Sequence, residues 1–462
     1  MYRIFINQEL IIPEIISVSA HPFNRTWPGK QRDASQSETA YMVRIYGEGS
    51  LDVSVETSSP ISDVAIRPQS KQIKFTKESH KISFSLPTNG KYSIEINGTH
   101  HAIHLLYQKN TDYRNFPTPT YHYQSGHHYV GLVTLKSGDS VCIEKDAIVH
   151  GSFYAVDQSN ISIFGDGVIC GDWEHRKEKH GDIGFDNENI FDPQDVHTYG
   201  GIRMYRCKDI SIHSVTVTDT ASYAISFFAT QNISIENVNV LGLWKYNCDG
   251  IDFFNSSNIY VNNCFVRSFD DSMCMKGLTA FSDYNTENVH VQNCVFWCDW
   301  GKNIDIGLAT ACKQIQNILW EDCDIIHNSD ISIAISCGQW ADVNNIRYRN
   351  LHIEYTKGTE KPVYQAHEDD RYQPSEPTTV PTLIRISDRR RTWQGNIASN
   401  LEEPKLRDIK FDNIYLHVDK EIDQTPSIII EKCIERSVFS NIRIQNLFLN
   451  GRPLDASKFS IE

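Results

Sequence analysis

The amino-acid sequence predicts an all-β chain, a parallel β-helix preceded by an N-terminal β-sandwich. Three observations carry that reading. A short β-rich unit recurs through the later two-thirds of the chain, and no amphipathic helical period interrupts it. The earlier part alternates apolar and polar residues, with turn signals about every ten residues. A proline-containing stretch separates the two.

The first part is read from "YMVRIYGEGSLDVSVE", "QIKFTKESHKISFSL" and "KYSIEINGTHHAIHLLY", which run between Tyr41 and Tyr107. Their alternation is that of strands with one buried face, and "NGK" and "NGT" supply turns, so the expected form is an antiparallel sandwich. The stretch "YRNFPTPTYHYQSG" has the character of a linker. It places the boundary near Tyr123, giving a sandwich over 1–123 and a solenoid over 124–462.

In the second part an Asn or Asp followed by a β-branched alternation starts each unit: "DISIHSVTVT" at Asp209, "NISIENVNVL" at Asn232, "NIYVNNCFVR" at Asn258, "NVHVQNCVFW" at Asn288. "NILWEDCDII" at Asn317 and "NIRYRNLHIE" at Asn345 continue the series, with consecutive starts 23, 26, 30, 29 and 28 residues apart. Each unit holds two short strands split by a polar turn residue, as a coil of a parallel β-helix requires. The sixth position after each start is Val215, Val238, Cys264, Cys294, Cys323 and Leu351, an apolar column that must point inward. Coils stack about 4.8 Å apart, so the starting asparagines are placed to form a ladder of side-chain amides.

A chain of 462 residues buries a sizeable core, and 40% hydrophobic with 22% charged residues is the composition of a soluble globular protein. The net charge of -14 argues against nucleic acid as a partner, since phosphate binding needs a basic face. The start "MYRIFINQELIIPEI" lacks a basic region followed by an apolar core, and no run approaches the roughly 20 apolar residues of a membrane span. The expected setting is therefore cytoplasmic, with no membrane partner. Twelve cysteines spread through so long a chain read as buried small hydrophobes. A disulfide between the neighbouring-coil residues Cys264 and Cys294 is the alternative, and no CxxC pairing points to zinc.

The chemistry is concentrated in "YNCDGIDFFNSSNIYVNNCFVRSFDDSMCMKG", Tyr246 to Gly277. Asp249 and the pair Asp270–Asp271 are 21 residues apart, close to one coil, so stacking brings them onto one face. Turn-forming aspartates are common, and Asp252 is read mainly in that way. Three stacked carboxylates nevertheless cost repulsion that a turn does not require. Paired carboxylates are what glycoside hydrolysis needs, one protonated to assist the leaving oxygen and one ionised to activate water. Trp244, Tyr246, Trp300 and Trp340 are candidate stacking faces for sugar rings, though any one of them is read more readily as packing, and Arg267, Lys245, Lys276 and Lys302 are candidate donors to hydroxyls or carboxylates.

At these residues the sequence resembles glycoside hydrolase family 28, the polygalacturonase-like right-handed parallel β-helix enzymes. "NCDG" at Asn247–Gly250 is similar to the family's "NTDG", and "FDDSMCMKG" at Phe269–Gly277 is similar to its "GDD" region. The β-sandwich arrangement is also similar to the dextranase-type family 49. The resemblance implies that Asp270 is the general acid, that Asp249 and Asp271 hold and deprotonate the water, that the anomeric carbon inverts, and that no metal or organic cofactor takes part. Two motifs depart. "CDWGKNIDIG" from Cys298 stands where the family has "GHG", without a histidine, and the carboxylate-gripping "RIK" is missing; "LIRISD" around Arg385 is similar in letters but lies further along. Trp300, Lys302 and Asp305 are then expected to line a different subsite.

The reading is an inverting glycosidase acting on a pectic or related glycan. A cytoplasmic setting favours exo-cleavage of oligosaccharides, and the insertions 173–197 and 357–381 are placed to wall off one end of the groove. A calcium-assisted β-helix lyase on uronate glycans and a non-catalytic glycan-binding β-helix are the alternatives. Sugar, linkage and oligomeric state stay open.

Overall fold

A computed structural model describes residues 2–25, 32–175, 199–365, 367, 370–373, 379–389 and 403–456. The N-terminal part is a sandwich of two five-stranded sheets. One sheet runs in the order Glu9–Ile11, Tyr2–Ile6, Leu51–Thr57, Lys81–Leu86, Phe75–Lys77, and the other Glu14–Ser19, Ser37–Tyr46, Ile103–Gln108, Gly90–Ile96, Val64–Arg67. Pairing is antiparallel except between Ser37–Tyr46 and Ile103–Gln108, which run parallel. Ile4, Val55, Ile82, Leu86, Ile103 and Leu105 meet between the sheets with no exposed surface.

From Tyr121 on, the strands other than Val363–Gln365 form one 28-stranded ladder, a parallel β-helix that closes on an antiparallel pair, Val438–Leu449 with Arg452–Leu454. Its first strand, Tyr121–Tyr123, stacks on Ser140–Ile143. Three strands make a coil. Lys208–His213, Gln231–Glu236, Ser257–Asn262 and Thr286–Gln292 stack on the first face, and Thr216–Thr218, Asn239–Val240, Phe265–Ser268 and Val295–Cys298 on the second. The third face stacks Ile225–Phe228, Ile251–Phe254, Met273–Gly277, Lys302–Thr310, Ile331–Cys337 and Thr382–Ser387. The repeat visible in the sequence covers the first two faces only. The third lies in the part of the unit whose length varies.

Asparagines start the coils because each sits in the left-handed region, φ 57° at Asn232, 56° at Asn258 and 57° at Asn288, which Asn tolerates better than other side chains. Their amides bond along the axis: Asn258 Nδ2 donates to Asn232 (2.9 Å), Asn288 to Asn258 (3.0 Å), Asn317 to Asn288 (3.0 Å) and Asn345 to Asn317 (2.7 Å). The inward column Val215, Val238, Cys264, Cys294, Cys323 and Leu351 is fully buried, and all twelve cysteines are free thiols. Among the described residues no helix is long and apolar enough to cross a membrane.

The sandwich lies along the second face. Ile16, Val18, Met42 and Leu106 pack on Leu241, Phe265, Val295, Trp297 and Ile326, which come from four successive coils. Buried ion pairs reinforce the seam: Arg67 Nε lies 2.7 Å from Glu95, and Arg67 also pairs with Glu354 of the solenoid. Arg32 stacks on the Phe269 ring at 3.7 Å and donates to the Trp244 carbonyl, tying the N-terminal part to the turns described next.

Candidate active site

The acids come from turns that lead from the second face into the third. Asn247 takes the left-handed conformation (φ 54°) that lets the chain reverse before Asp249. Gly250 follows because a Cβ there would stand 2.3 Å from the Ser272 carbonyl oxygen of the next coil. Ile251 pairs with Met273, and Met273 with Ile304. Asp249, Asp271 and Lys302 each lie two residues earlier and stand in one column, joined by backbone bonds from Gly250 N to Asp271 O (2.9 Å) and Ser272 N to Lys302 O (2.8 Å).

Two ammonium groups divide the carboxylates. Lys276 Nζ lies 2.8 Å from Asp249 Oδ2, 3.4 Å from Asp252 Oδ2 and 3.9 Å from Asp271 Oδ2. Lys302 Nζ lies 3.0 Å from Asp271 Oδ1 and 3.1 Å from Asp305 Oδ2, and its own backbone N–H donates to Asp271 Oδ1 at 2.9 Å. Asp270 is partly exposed and forms no ion pair with a described residue; its Oδ1 accepts the Asp271 N–H at 3.1 Å.

The protonation states follow from these contacts. Burial and the charges of Asp249 and Asp271 hold the Asp270 carboxyl well above the usual carboxylate range, against a weaker pull from the two lysines. Burial also pushes Asp271 up, but Lys302 and Lys276 together overcome it and keep that carboxyl below its ordinary value. Asp249 is raised by burial, offset in part by Lys276. Burial raises Asp252 further, with the charges of Asp249 and Asp271 adding to it against the pull of Lys276. Adjacent acids in one chain thus take opposite states.

All three acids line one cavity of about 250 Å3, together with Tyr246, Asn247, Lys276, Trp300, Gly301 and Lys302. Several other candidates lie elsewhere. Arg267 is on the second face, stacked on Trp297 at 4.0 Å and paired with Asp299 at 3.2 Å, where it meets His104 of the sandwich. Trp244 does not line the cavity; its carbonyl serves Arg32 and its ring meets Lys245, whose ammonium pairs with Asp219 at 2.7 Å. Trp340 occupies the turn after Ile331–Cys337, at the far end of the third-face strand. Asp305 has no exposed surface and lies beneath Lys302, where burial lifts its carboxyl to about 6. It does not line the cavity, contrary to the subsite expected from the sequence, because the Lys302 side chain covers it.

The cavity also holds residues that the sequence reading passed over: Tyr223, Asp330, Tyr364, Arg385, Arg389 and Glu431. Arg385 belongs to "LIRISD" and reaches the wall because Ile333 pairs with Ile384. Tyr364 comes from the 357–381 insertion, on the strand Val363–Gln365, which pairs with Phe23–Arg25 of the N-terminal part. Its ring meets Trp300 edge-on at 5.1 Å, and Trp300 lies over Phe269 at 5.9 Å. Of the other expected wall, 173–197, all but Trp173, Glu174 and His175 fall outside the described residues.

Asp249, Asp271 and Cys274 present ligand atoms within 4.8 Å of one another, a group that could hold a metal ion. The Lys276 ammonium already supplies a positive charge among them.

Comparison with known proteins places the chain in a family. The chain is 26% identical over 224 residues to "Probable exopolygalacturonase B" of Neosartorya fischeri, covering 44% of this chain and 46% of the relative. It is 23% identical over 231 residues to "Putative rhamnogalacturonase D" of Aspergillus niger, covering 48% and 50%. The chain thus spans about half the length of these relatives. Among solved structures, Dex49A from Penicillium minioluteum superposes with a TM-score of 0.54 at 11% identity, over 100% of this chain and 92% of that one, a likeness of fold. The profile of "Glycosyl hydrolases family 28" matches residues 132–446, a span that takes in the acidic turns and the coils stacked on either side of them, and the chain belongs to that family.

Proposed function

We propose that the protein is an inverting glycoside hydrolase that cleaves uronate-containing pectic oligosaccharides from a chain end. The observation that carries this reading is the unequal treatment of neighbouring acids. Asp270, without an ammonium partner, keeps its proton and donates it to the leaving glycosidic oxygen. Asp271, gripped by Lys302, stays ionised and with Asp249 orients and deprotonates the attacking water. Lys276 holds Asp249 and Asp271 in place and offsets their charge.

Arg385 and Arg389 support a uronate as the bound sugar. Both face the cavity, and guanidinium groups suit planar carboxylates. Arg385 is only loosely held, 3.6 Å from Glu431, so a substrate carboxylate can compete for it. Trp300 and Tyr364 both line the cavity and offer apolar ring faces, and the contribution of Tyr364 from the 357–381 insertion supports a partly closed cavity and hence exo-cleavage.

The test is incubation with oligogalacturonides and rhamnogalacturonan oligosaccharides, following reducing ends, ultraviolet absorbance and the first anomer formed by NMR. The expected outcome is monomer or dimer released stepwise, with the anomeric configuration opposite to the substrate's and no unsaturated product. Unsaturated uronide would assign the protein to the lyases, and inactivity on every uronate-containing oligomer would remove the pectic substrate.

A second expected result concerns Gly301. A Cβ there would stand 2.7 Å from Asp270 Oδ1 and 2.8 Å from the Asp271 backbone nitrogen. Gly301→Ala must push the Asp270–Asp271 peptide aside, and a displacement of about 1 Å at a reacting group costs roughly 10²-fold in rate. Steady-state kinetics should show kcat reduced on that order with KM changed little; a kcat within twofold of wild type would mean this contact does not set the acid.

A further inference from the structure

Three clusters of metal-ligating side chains occur among the described residues. In the first, Asp249, Asp271 and Cys274, the Lys276 ammonium is already seated 2.8 Å from Asp249. In the second, His150, Cys170 and Asp172, both imidazole nitrogens are already taken, His150 Nδ1 by Asp172 at 2.9 Å and Nε2 by His127 at 2.9 Å. The third has neither obstacle. His21 and His100 of the N-terminal part meet Glu360 of the 357–381 insertion, with one atom from each within 4.8 Å of the others.

His100 is backed by a carboxylate outside the ligand set, whereas His21 meets the third ligand, Glu360, directly, so an ion would take the place of the proton between those two. His100 Nδ1 lies 2.7 Å from Glu38, and His21 Nδ1 lies 2.9 Å from Glu360. A carboxylate on one ring nitrogen fixes the tautomer and makes the other nitrogen a better donor to a metal, the usual surrounding of ligating histidines. The two rings meet edge to face with centroids 5.7 Å apart. A cavity of about 70 Å3 opens beside them and is lined by His21, Glu38, His100 and Glu360. Its floor carries Arg267, but Asp299 at 3.2 Å offsets that charge.

We propose that His21, His100 and Glu360 form a site for a divalent cation of the zinc type, with Glu38 orienting His100, which clasps the sandwich to the insertion. Tetrahedral zinc holds its ligands roughly 3.3 Å apart. The three atoms must therefore close by up to about 1.5 Å, a small rotation for side chains as accessible as His21 at 37% and His100 at 48%. Two residues after His21 begins the strand Phe23–Arg25, and three after Glu360 begins its partner Val363–Gln365, so the ion fastens both strands at their start. The second of these carries Tyr364 against Trp300. The metal is a structural clasp on the cavity wall and takes no part in the chemistry.

The test uses the full-length protein, stripped with chelator, dialysed, and titrated with ZnCl2 by calorimetry and with CoCl2 by visible absorption. One zinc per chain, a raised melting temperature and the visible bands of tetrahedral cobalt are expected. His100→Gln and Glu360→Gln should each weaken binding about tenfold or more while circular dichroism keeps the β signature, and His150→Gln should leave it unchanged. Glu360→Gln decides the matter if the histidine variant does not fold. No heat and no bands with folded wild-type protein would overturn the proposal, as would binding that survives both variants or disappears in His150→Gln.

Discussion

Asp270→Asn is expected to lower kcat by about 10²–10⁴-fold, the usual contribution of a positioned proton donor, while KM stays near the wild-type value. The amide is isosteric and still accepts the Asp271 N–H, so the loop is undisturbed. What is lost is the proton that burial and the charges of Asp249 and Asp271 keep on this carboxyl. The pH profile sharpens the test. In the wild type, activity should fall as pH rises through the raised value of Asp270, because the donor ionises, and should fall at low pH as Asp271, held below its ordinary value by the lysines, takes up a proton. These limbs are macroscopic properties of the acid cluster. In Asp270→Asn the residual rate should keep the acid limb and lose the alkaline one. A variant with an unchanged alkaline limb would assign the donor to another group. A substrate with a good leaving group, which needs little protonation, should recover much of the loss.

Lys276→Met is expected to damage both stability and turnover. Its ammonium is buried among Asp249, Asp252 and Asp271, and removing one partner of a buried ionic cluster costs about 3–5 kcal/mol because the remaining charges are left uncompensated. The pH dependence has a definite sign. Asp249 and Asp252 already sit above their unfolded values, burial being the main cause, and loss of Lys276 raises them further. A carboxylate raised in the folded state contributes stability at low pH that is lost as pH rises through the folded value. The variant's deficit should therefore be small near pH 4 and grow toward neutrality, as measured by urea unfolding at both pH values. An equal deficit at both would mean that lost packing against Tyr223 and Phe254, rather than charge, governs the effect. Turnover should fall with it, since Asp249 and Asp271 lose the group that holds them.

Much of this was legible in the residues, and the reason is stacking. A parallel β-helix places equivalent positions of successive coils on top of one another, so the Asn232–Asn258–Asn288 column and the Cys264–Cys294–Cys323 column could be read as neighbours in space, and Asp249 as a neighbour of Asp271. Legibility ended where that rule does. Arg267 lies only three residues before Asp270, yet its strand belongs to a different face, and its guanidinium is claimed by Asp299 and His104. Trp340 was misplaced for a related reason, since it sits at the other end of its strand. Tyr364 enters the cavity from an insertion outside the repeat, held by a strand more than three hundred residues earlier in the chain. Arg385 carried a usable signal, because "IRIS" stacks directly on "ISIAIS", but the intervening insertion concealed how few coils separate it from Asp270.

The seam along the second face has a mechanical consequence. In a bare solenoid each coil holds only its neighbours, so opening can begin at either end and travel inward one unit at a time. Here the sandwich grips Leu241, Phe265, Val295 and Ile326 together, like a splint laid across four vertebrae. Fraying that starts at the last strands must halt on reaching that span, and the span contains the turns that carry Asp249, Asp270 and Asp271.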